Sequence, residues 1–187
     1  MATIQSDPSL AGFNCYISLA DANTYHDERL HNTAWTNSAT SDKTKSLIWA
    51  TRTLDTMKWR GVRTSGTQLL EFPRRGLSYY ESSSIGGFDY ERVDVEGLGY
   101  FTKIEISETA VPTFLKDATA ELAMWLLNSD TTAPTGTEGF KRIKVDTIEV
   151  EMNPTDRQSW MNDSIRNLVW RFLASNSKYS GSTMRVG

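Results

Sequence analysis

The sequence predicts a mainly α-helical domain carrying a β-containing insertion, and three observations lead there. Apolar residues recur at spacings of three and four in Leu47, Ala50, Leu54 and Met57, in Leu115, Ala118, Leu122, Trp125 and Leu126, and in Ile165, Leu168, Val169, Phe172 and Leu173. That period lines one face of a helix. Between the first two stripes the composition changes: glycines at 61, 66, 76, 86, 87, 97 and 99 and tyrosines at 79, 80, 90 and 100 separate short alternating runs such as FTKIEI at 101–106. Such runs predict strands. The segment FKRIKVDTIEVEM at 140–152 alternates as well, so a hairpin precedes the last helix.

Each element has its own local justification. Ser18 followed by Asp21 is a capping pattern that starts a first helix over about 19–30. Residues 31–41 are rich in Asn, Thr and Ser and predict a loop, within which Trp35 is an anchor packed on the first two helices. The second helix runs over about 42–58 and is closed by Trp59 and Gly61. Val111-Pro112 opens the third, because proline suits a first helical turn and forces its predecessor extended, and this helix ends near Asn128. A polar loop then leads to the hairpin. With Asp146-Thr147 as its turn, Val145 opposes Ile148 and Ile143 opposes Val150, while Lys144 opposes Glu149 and Arg142 opposes Glu151. Both faces agree on that register. Thr155 and Gln158 offer another capping box before a last helix over about 163–174, and 175–187 is a polar tail with no packing face. The predicted organisation is a helical domain from 1–76 and 110–174, an inserted arm at 77–109 and a flexible tail at 175–187.

A chain of 187 residues can bury about 70% of its unfolded surface, enough for a sizeable core. Its net charge of −3 argues against a main role in coating a polyanion, although local basic patches remain open. The single cysteine, Cys15, excludes an internal disulfide and a multi-cysteine zinc site. No apolar run approaches the roughly 20 residues of a membrane span, and the N-terminus has no basic and apolar leader pattern. The expectation is a soluble protein without a membrane partner.

Candidate chemistry is sparse. His26 and His31 lie five residues apart, off the spacing that places two ligands on one helical face, and read as exposed or loop-packing side chains. No nucleophile elbow, phosphate-cradling glycine loop or H-E-x-x-H is present. Glu105 with Glu108 and Glu149 with Glu151 read as solvent faces or hairpin ion pairs rather than acid/base couples. No enzyme activity, cofactor or metal is expected. Trp59, Arg60, Arg63, Arg74, Arg75, Tyr79 and Tyr80 form a basic and aromatic group that can be read in two ways. They can stack and neutralise a single strand, or the arginines can fork onto carboxylates within or between subunits. The acidic total favours the second.

Three segments taken in order carry a resemblance: YISLADANTYHDERLHNTAW at 16–35, LIWATRTLDTMKWRGVRTSGTQLLEFPRRG at 47–76 and VPTFLKDATAELAMWLL at 111–127. Their order and spacing resemble the head-to-tail adaptor proteins of tailed bacteriophages, a family that also carries the label DnaT-like single-stranded-DNA-binding. The resemblance spans about 16–152. In that family the interval after the Phe-Pro-Arg-Arg-Gly turn is much shorter, so 77–109 looks like an insertion. The resemblance implies a structural virion protein, a homo-oligomeric ring of about twelve copies at the portal vertex between capsid and tail. The ring would join the portal protein to the next tail protein (nozzle, terminator or tail tube) and leave a channel through which genomic DNA passes during ejection. It also implies roles for particular residues. Arg74, Arg75, Arg142, Lys144, Glu149 and Glu151 would lie at the subunit interface, and Lys178, Tyr179, Met184, Arg185 and Val186 would reach the portal. The inserted arm has no counterpart to carry over; because tail partners vary more than a portal-facing scaffold must, Tyr79, Tyr80, Phe88, Tyr90 and Tyr100 are expected to form a tail-facing arm. The alternatives are a single-stranded-DNA-binding replication accessory protein and another ring-forming component such as a tail terminator.

Overall fold

A computed structural model of the chain describes residues 2–82, 92–94, 100–129, 142–145, 148–151 and 161–174. They form a mainly helical structure with a few short antiparallel strands. The first helix, α1 (Leu19–Asp27), begins as its capping pattern requires, with the Ser18 hydroxyl oxygen accepting from the Asp21 amide at 3.0 Å. It ends three residues earlier than its composition suggests. The Asn32 side chain donates to the His26 carbonyl at 2.8 Å, and His31 then adopts a positive φ of 59° that turns the chain. A single helical turn, α2 (Thr33–Thr36), stands where a loop is predicted and holds Trp35 in the core. The long α3 (Thr40–Asp55) buries Leu47, Ala50 and Leu54, as the stripe requires. Met57 lies past its end and is half-buried.

A two-stranded ladder, β1 (Val62–Arg63) with β2 (Arg74–Arg75), follows. Next comes a three-stranded antiparallel sheet from β3 (Ser78–Ser82), β4 (Arg92–Asp94) and β5 (Tyr100–Glu105), with β5 in the middle. The central helix is α4 (Thr113–Asn128), which packs against α1, α2, α3 and α5. Its small residues Ala118, Ala120 and Ala123 are fully buried, which allows neighbours on several sides to approach closely. Trp125 and Leu126, expected on its buried face, are only half-buried. The hairpin β6 (Arg142–Val145) and β7 (Ile148–Glu151) has the register set by its alternation: Val145 opposite Ile148, Lys144 opposite Glu149, Ile143 opposite Val150 and Arg142 opposite Glu151. The last helix, α5 (Asp163–Val169), is shorter than its stripe and tightens into a 3-10 turn (Trp170–Phe172). The Thr155 and Gln158 capping pattern and the tail at 175–187 lie outside the described residues.

One aromatic series runs through the core. Phe72 meets Tyr16, Trp59 and Phe114 edge to face, Phe114 stacks on Phe172 at 4.0 Å between ring centres, and Phe172 meets Tyr79 at 5.9 Å. Offset and edge-on pairs of this kind add to the burial of their rings. The root of the predicted arm therefore belongs to the helical body. Leu77 is buried, its carbonyl accepts from the Ile106 amide at 2.9 Å, and Tyr79 packs on the 3-10 turn.

Candidate functional site

The basic and aromatic group is divided by the fold into an inner half and an outer half. Helix α3 ends at Asp55, where the Leu54 carbonyl accepts from the Met57 amide and also from the Trp59 indole N–H, each at 3.1 Å, which ties the indole to the helix end. Gly61 then turns with φ of 70°, and a Cβ there would lie 2.4 Å from the Arg75 carbonyl oxygen, so only glycine fits. Across this turn lies Arg74, 7% exposed. Its guanidinium donates to the carbonyls of Arg60 and Gly61, each at 2.8 Å, of Glu71 at 3.3 Å and of Trp59 at 3.4 Å, and also to the Glu71 carboxylate. A planar fork with five N–H donors is the one side chain able to serve so many acceptors at once. Arg63 closes the same loop, donating to the Gln68 carbonyl and lying 3.9 Å from the Glu71 carboxylate. Trp59, Arg63 and Arg74 are thus an internal clasp between 59–63 and 71–75.

Asp55 ties the clasp to α3. Its carboxylate accepts from the Tyr16 hydroxyl and from the Glu71 amide at 2.7 Å. Burial, and then the adjacent Asp55 charge, push the Tyr16 hydroxyl far above the usual phenol range, so Tyr16 stays a donor. Nearby Cys15 is fully buried and accepts from the Thr51 hydroxyl at 3.4 Å; burial raises its thiol above the ordinary value, the reverse of a reactive cysteine.

The outer half is an exposed cation and aromatic face. Arg60 and Arg75 are exposed, as is Lys58. The backbone of 58–60 pairs with the end of the 3-10 turn: the Arg60 amide donates to the Phe172 carbonyl at 2.8 Å, the Ala174 amide to the Lys58 carbonyl at 2.9 Å, and the Arg60 guanidinium to the Arg171 carbonyl at 3.1 Å. That pairing brings in two residues the sequence reading passed over. Arg171 lies 6.0 Å from the Trp170 ring and 5.9 Å from the Tyr79 ring, and Trp170 is 58% exposed. Tyr80, 53% exposed, follows on β3. A signal was available: Trp170 falls off the 165, 168, 169, 172 stripe, and a tryptophan on the wet side of a helix is a candidate contact.

Farther along α4, α1 presents a second cluster. Tyr25 donates to Glu121 at 2.9 Å and Arg29 binds the same carboxylate at 2.6 Å. Burial, and then Glu121 one turn away, raise the Asp117 carboxyl above its ordinary range. His26, expected to be exposed or loop-packing, is not exposed: it is fully buried and packs on Trp35 of the segment expected to be a loop, 4.3 Å between ring centres, with Nε2 3.2 Å from the Ala120 carbonyl and Nδ1 without a partner among the described residues. The residue that masked this was Trp35, whose helical turn covers the ring.

Of the other residues singled out in the sequence, Arg142, Lys144, Glu149 and Glu151 occupy the β6 and β7 ladder in opposed pairs, and Tyr100 begins β5. Phe88, Tyr90, Lys178, Tyr179, Met184, Arg185 and Val186 lie outside the described residues. Among the described residues no group of three or more His, Cys, Asp or Glu side chains is placed to hold a metal ion, and no helix is long and apolar enough to cross a membrane.

Residues 1–86 match the model of a family described as "Putative DnaT-like ssDNA binding protein". The match takes in the clasp, Arg75, Tyr79 and Tyr80, and leaves α4, α5, Trp170 and Arg171 outside it. The description names no virion component. No curated protein and no solved structure matches the chain.

Proposed function

We propose that the chain is a structural virion subunit, a head-to-tail adaptor that assembles into a ring joining the portal to the next tail protein around a channel for the genome. The observation that carries this reading is the clasp. The Trp-Arg-Gly and Phe-Pro-Arg-Arg-Gly motifs, the most distinctive stretch of the sequence, have their central arginine turned onto four backbone carbonyls and Glu71, inside the protein. Residues placed so build a rigid connector, not a ligand cradle. Trp49, Val62, Leu69, Tyr80 and Trp170 remain exposed, a supply of apolar surface suited to protein contacts. Arg75 and the ladder residues Arg142, Lys144, Glu149 and Glu151 serve the contacts between copies in this reading. The tail residues Lys178, Tyr179, Met184, Arg185 and Val186 reach the portal in this reading, and the arm whose sequence carries Tyr80, Phe88, Tyr90 and Tyr100 meets the tail, while Tyr79 anchors its root on Phe172.

A second reading, single-stranded DNA binding, is favoured by the family match over 1–86 and by the exposed face of Arg60, Arg75, Tyr80, Trp170 and Arg171. One pair of measurements separates them. Electron microscopy and sedimentation of the purified full chain are expected to show closed rings, with only weak, steeply salt-dependent binding of an oligo-dT strand. A chain that stays monomeric and holds the strand tightly at physiological salt, losing it with Arg171→Ala and Trp170→Ala, supports the second reading instead.

A further inference from the structure

The exposed charges are distributed in a way that says how copies of this chain meet. Lys58, Arg60, Arg75 and Arg171 gather where α3 ends and α4 begins, and none of them forms an ion pair with a described residue. Trp170, 6.0 Å from Arg171, stands beside them, exposed. The carboxylates around this face are held elsewhere: Glu71 is bound to Arg74 inside the clasp, and Glu108 accepts from the Gly76 amide at 3.4 Å. Tryptophan, tyrosine and arginine together are the residue types that dominate binding energy at protein interfaces.

The end of α1 has the opposite character. Asp27 and Glu28 are exposed and likewise form no ion pair with a described residue, and Leu30 beside them is 82% exposed. The cations near that end are already engaged: Arg29 is bound to Glu121, and Lys43 lies 5.4 Å from the Trp35 ring centre. The two ends are also apart. Arg29 reaches Met124 at 3.6 Å, whereas Phe172 stacks on Phe114, so ten residues of α4, about 15 Å of helix, separate the places where they meet it.

We propose that the basic face of Lys58, Arg60, Arg75, Arg171 and Trp170 docks on the acidic end of α1, at Asp27, Glu28 and Leu30, of a second copy of this chain. This deepens the ring reading and rests on it. The occupant follows from charge. The chain carries −3 overall, so apart from these four cations the remainder carries −7, and the next copy offers a basic face an oppositely charged surface. A two-fold dimer through the same face would set cation against cation. The contact is therefore head to tail, which generates a closed ring when the rotation closes.

The test uses the full chain with reversed charges, read by sedimentation velocity and electron microscopy. Arg60→Glu with Arg171→Glu, and separately Asp27→Lys with Glu28→Lys, should each raise the concentration needed for assembly about tenfold or more, a change of about 1.4 kcal/mol. All four residues are on the surface, and circular dichroism should show both variants folded. The chain carrying all four reversals restores opposite charge across the contact and should assemble again. Failure of the fourfold variant to recover, or unaltered assembly of either single-face variant, overturns the pairing of these two faces while leaving the ring itself intact. A wild-type chain that remains monomeric at every concentration removes the ring reading. Binding of an oligo-dT strand at physiological salt that is lost with Arg60→Glu and Arg171→Glu, while assembly persists, assigns the face to nucleic acid.

Discussion

Arg74 shows how one side chain can hold a connector that has little regular structure of its own. The ladder beside it is only two residues long on each side, so the carbonyls of Trp59, Arg60, Gly61 and Glu71 depend on the guanidinium for a donor. Arg74→Ala strands those acceptors, leaves the Glu71 carboxylate with only the more distant Arg63 at 3.9 Å, and should cost about 3 kcal/mol. Arg74→Lys should recover only part of that, because an ammonium cannot reproduce the fork. Urea denaturation of the two variants checks both, and a loss below about 1 kcal/mol for Arg74→Ala would leave the clasp without energetic meaning. His26 supports a second prediction at this scale. Burial lowers its folded-state pKa below the ordinary 6.5, so the unfolded chain binds its proton more readily. Stability from this group is then present above pH 6.5 and lost as pH falls through that value toward the folded pKa. Nδ1 has no partner among the described residues, so a proton added there finds no acceptor to offset the burial. His26→Phe should flatten the fall in stability between neutral pH and the carboxylate range; an unchanged slope would locate the acid sensitivity elsewhere.

At the scale of elements, sequence and structure agree where a pattern belongs to one segment and part where a neighbour decides. The stripes of α3 and α5, the Ser18 cap and the hairpin register were legible because each rests on local periodicity or on two strands adjacent in sequence. The turn of α2 was not, since four residues are too few to show a period, and it is Trp35 packing on His26 that holds them helical. Likewise the stripe through Leu173 continues as if helical, yet α5 gives way to a 3-10 turn at Trp170 because 172–174 are drawn into pairing with 58–60. The inward turn of Arg74, which the interface expectation did not foresee, was illegible for the same reason: nothing in PRRG says that the first arginine folds inward and the second stays out. The pairing makes α5 part of the fold and not an appendage. A chain ending before Met161 would lose Phe172 from the ring stack and the Arg60 and Ala174 hydrogen bonds together. It should lose its near-ultraviolet aromatic circular dichroism; retention of the full signal would show that 1–160 folds without the closing element.

At the scale of the whole molecule, the two ends of the inserted segment are packed on the helical body. Leu77 is a core residue, Tyr79 packs on Phe172, and Ile106 bonds back to Leu77, so 77–82 and 100–106 serve the body, while β4 at 92–94 adds a third strand to the sheet. The register sets Ser82 opposite Phe101, which places the two strand ends side by side, close enough for a short Gly/Ser bridge to close. Two deletions should therefore behave differently. Removing 77–109 takes out Leu77 and the support of the 3-10 turn and should give an unstable or insoluble chain, because a buried leucine and an aromatic contact are lost together. Replacing only 83–99 with the bridge should leave thermal stability close to that of the intact chain and leave ring formation unchanged. If the arm faces the tail as proposed, particles assembled with the shorter deletion should carry the ring at the portal vertex and lack tails. Complete tails on such particles would withdraw the tail-facing role from the arm. Loss of stability with the shorter deletion would show instead that the segment beyond Ser82 is part of the body.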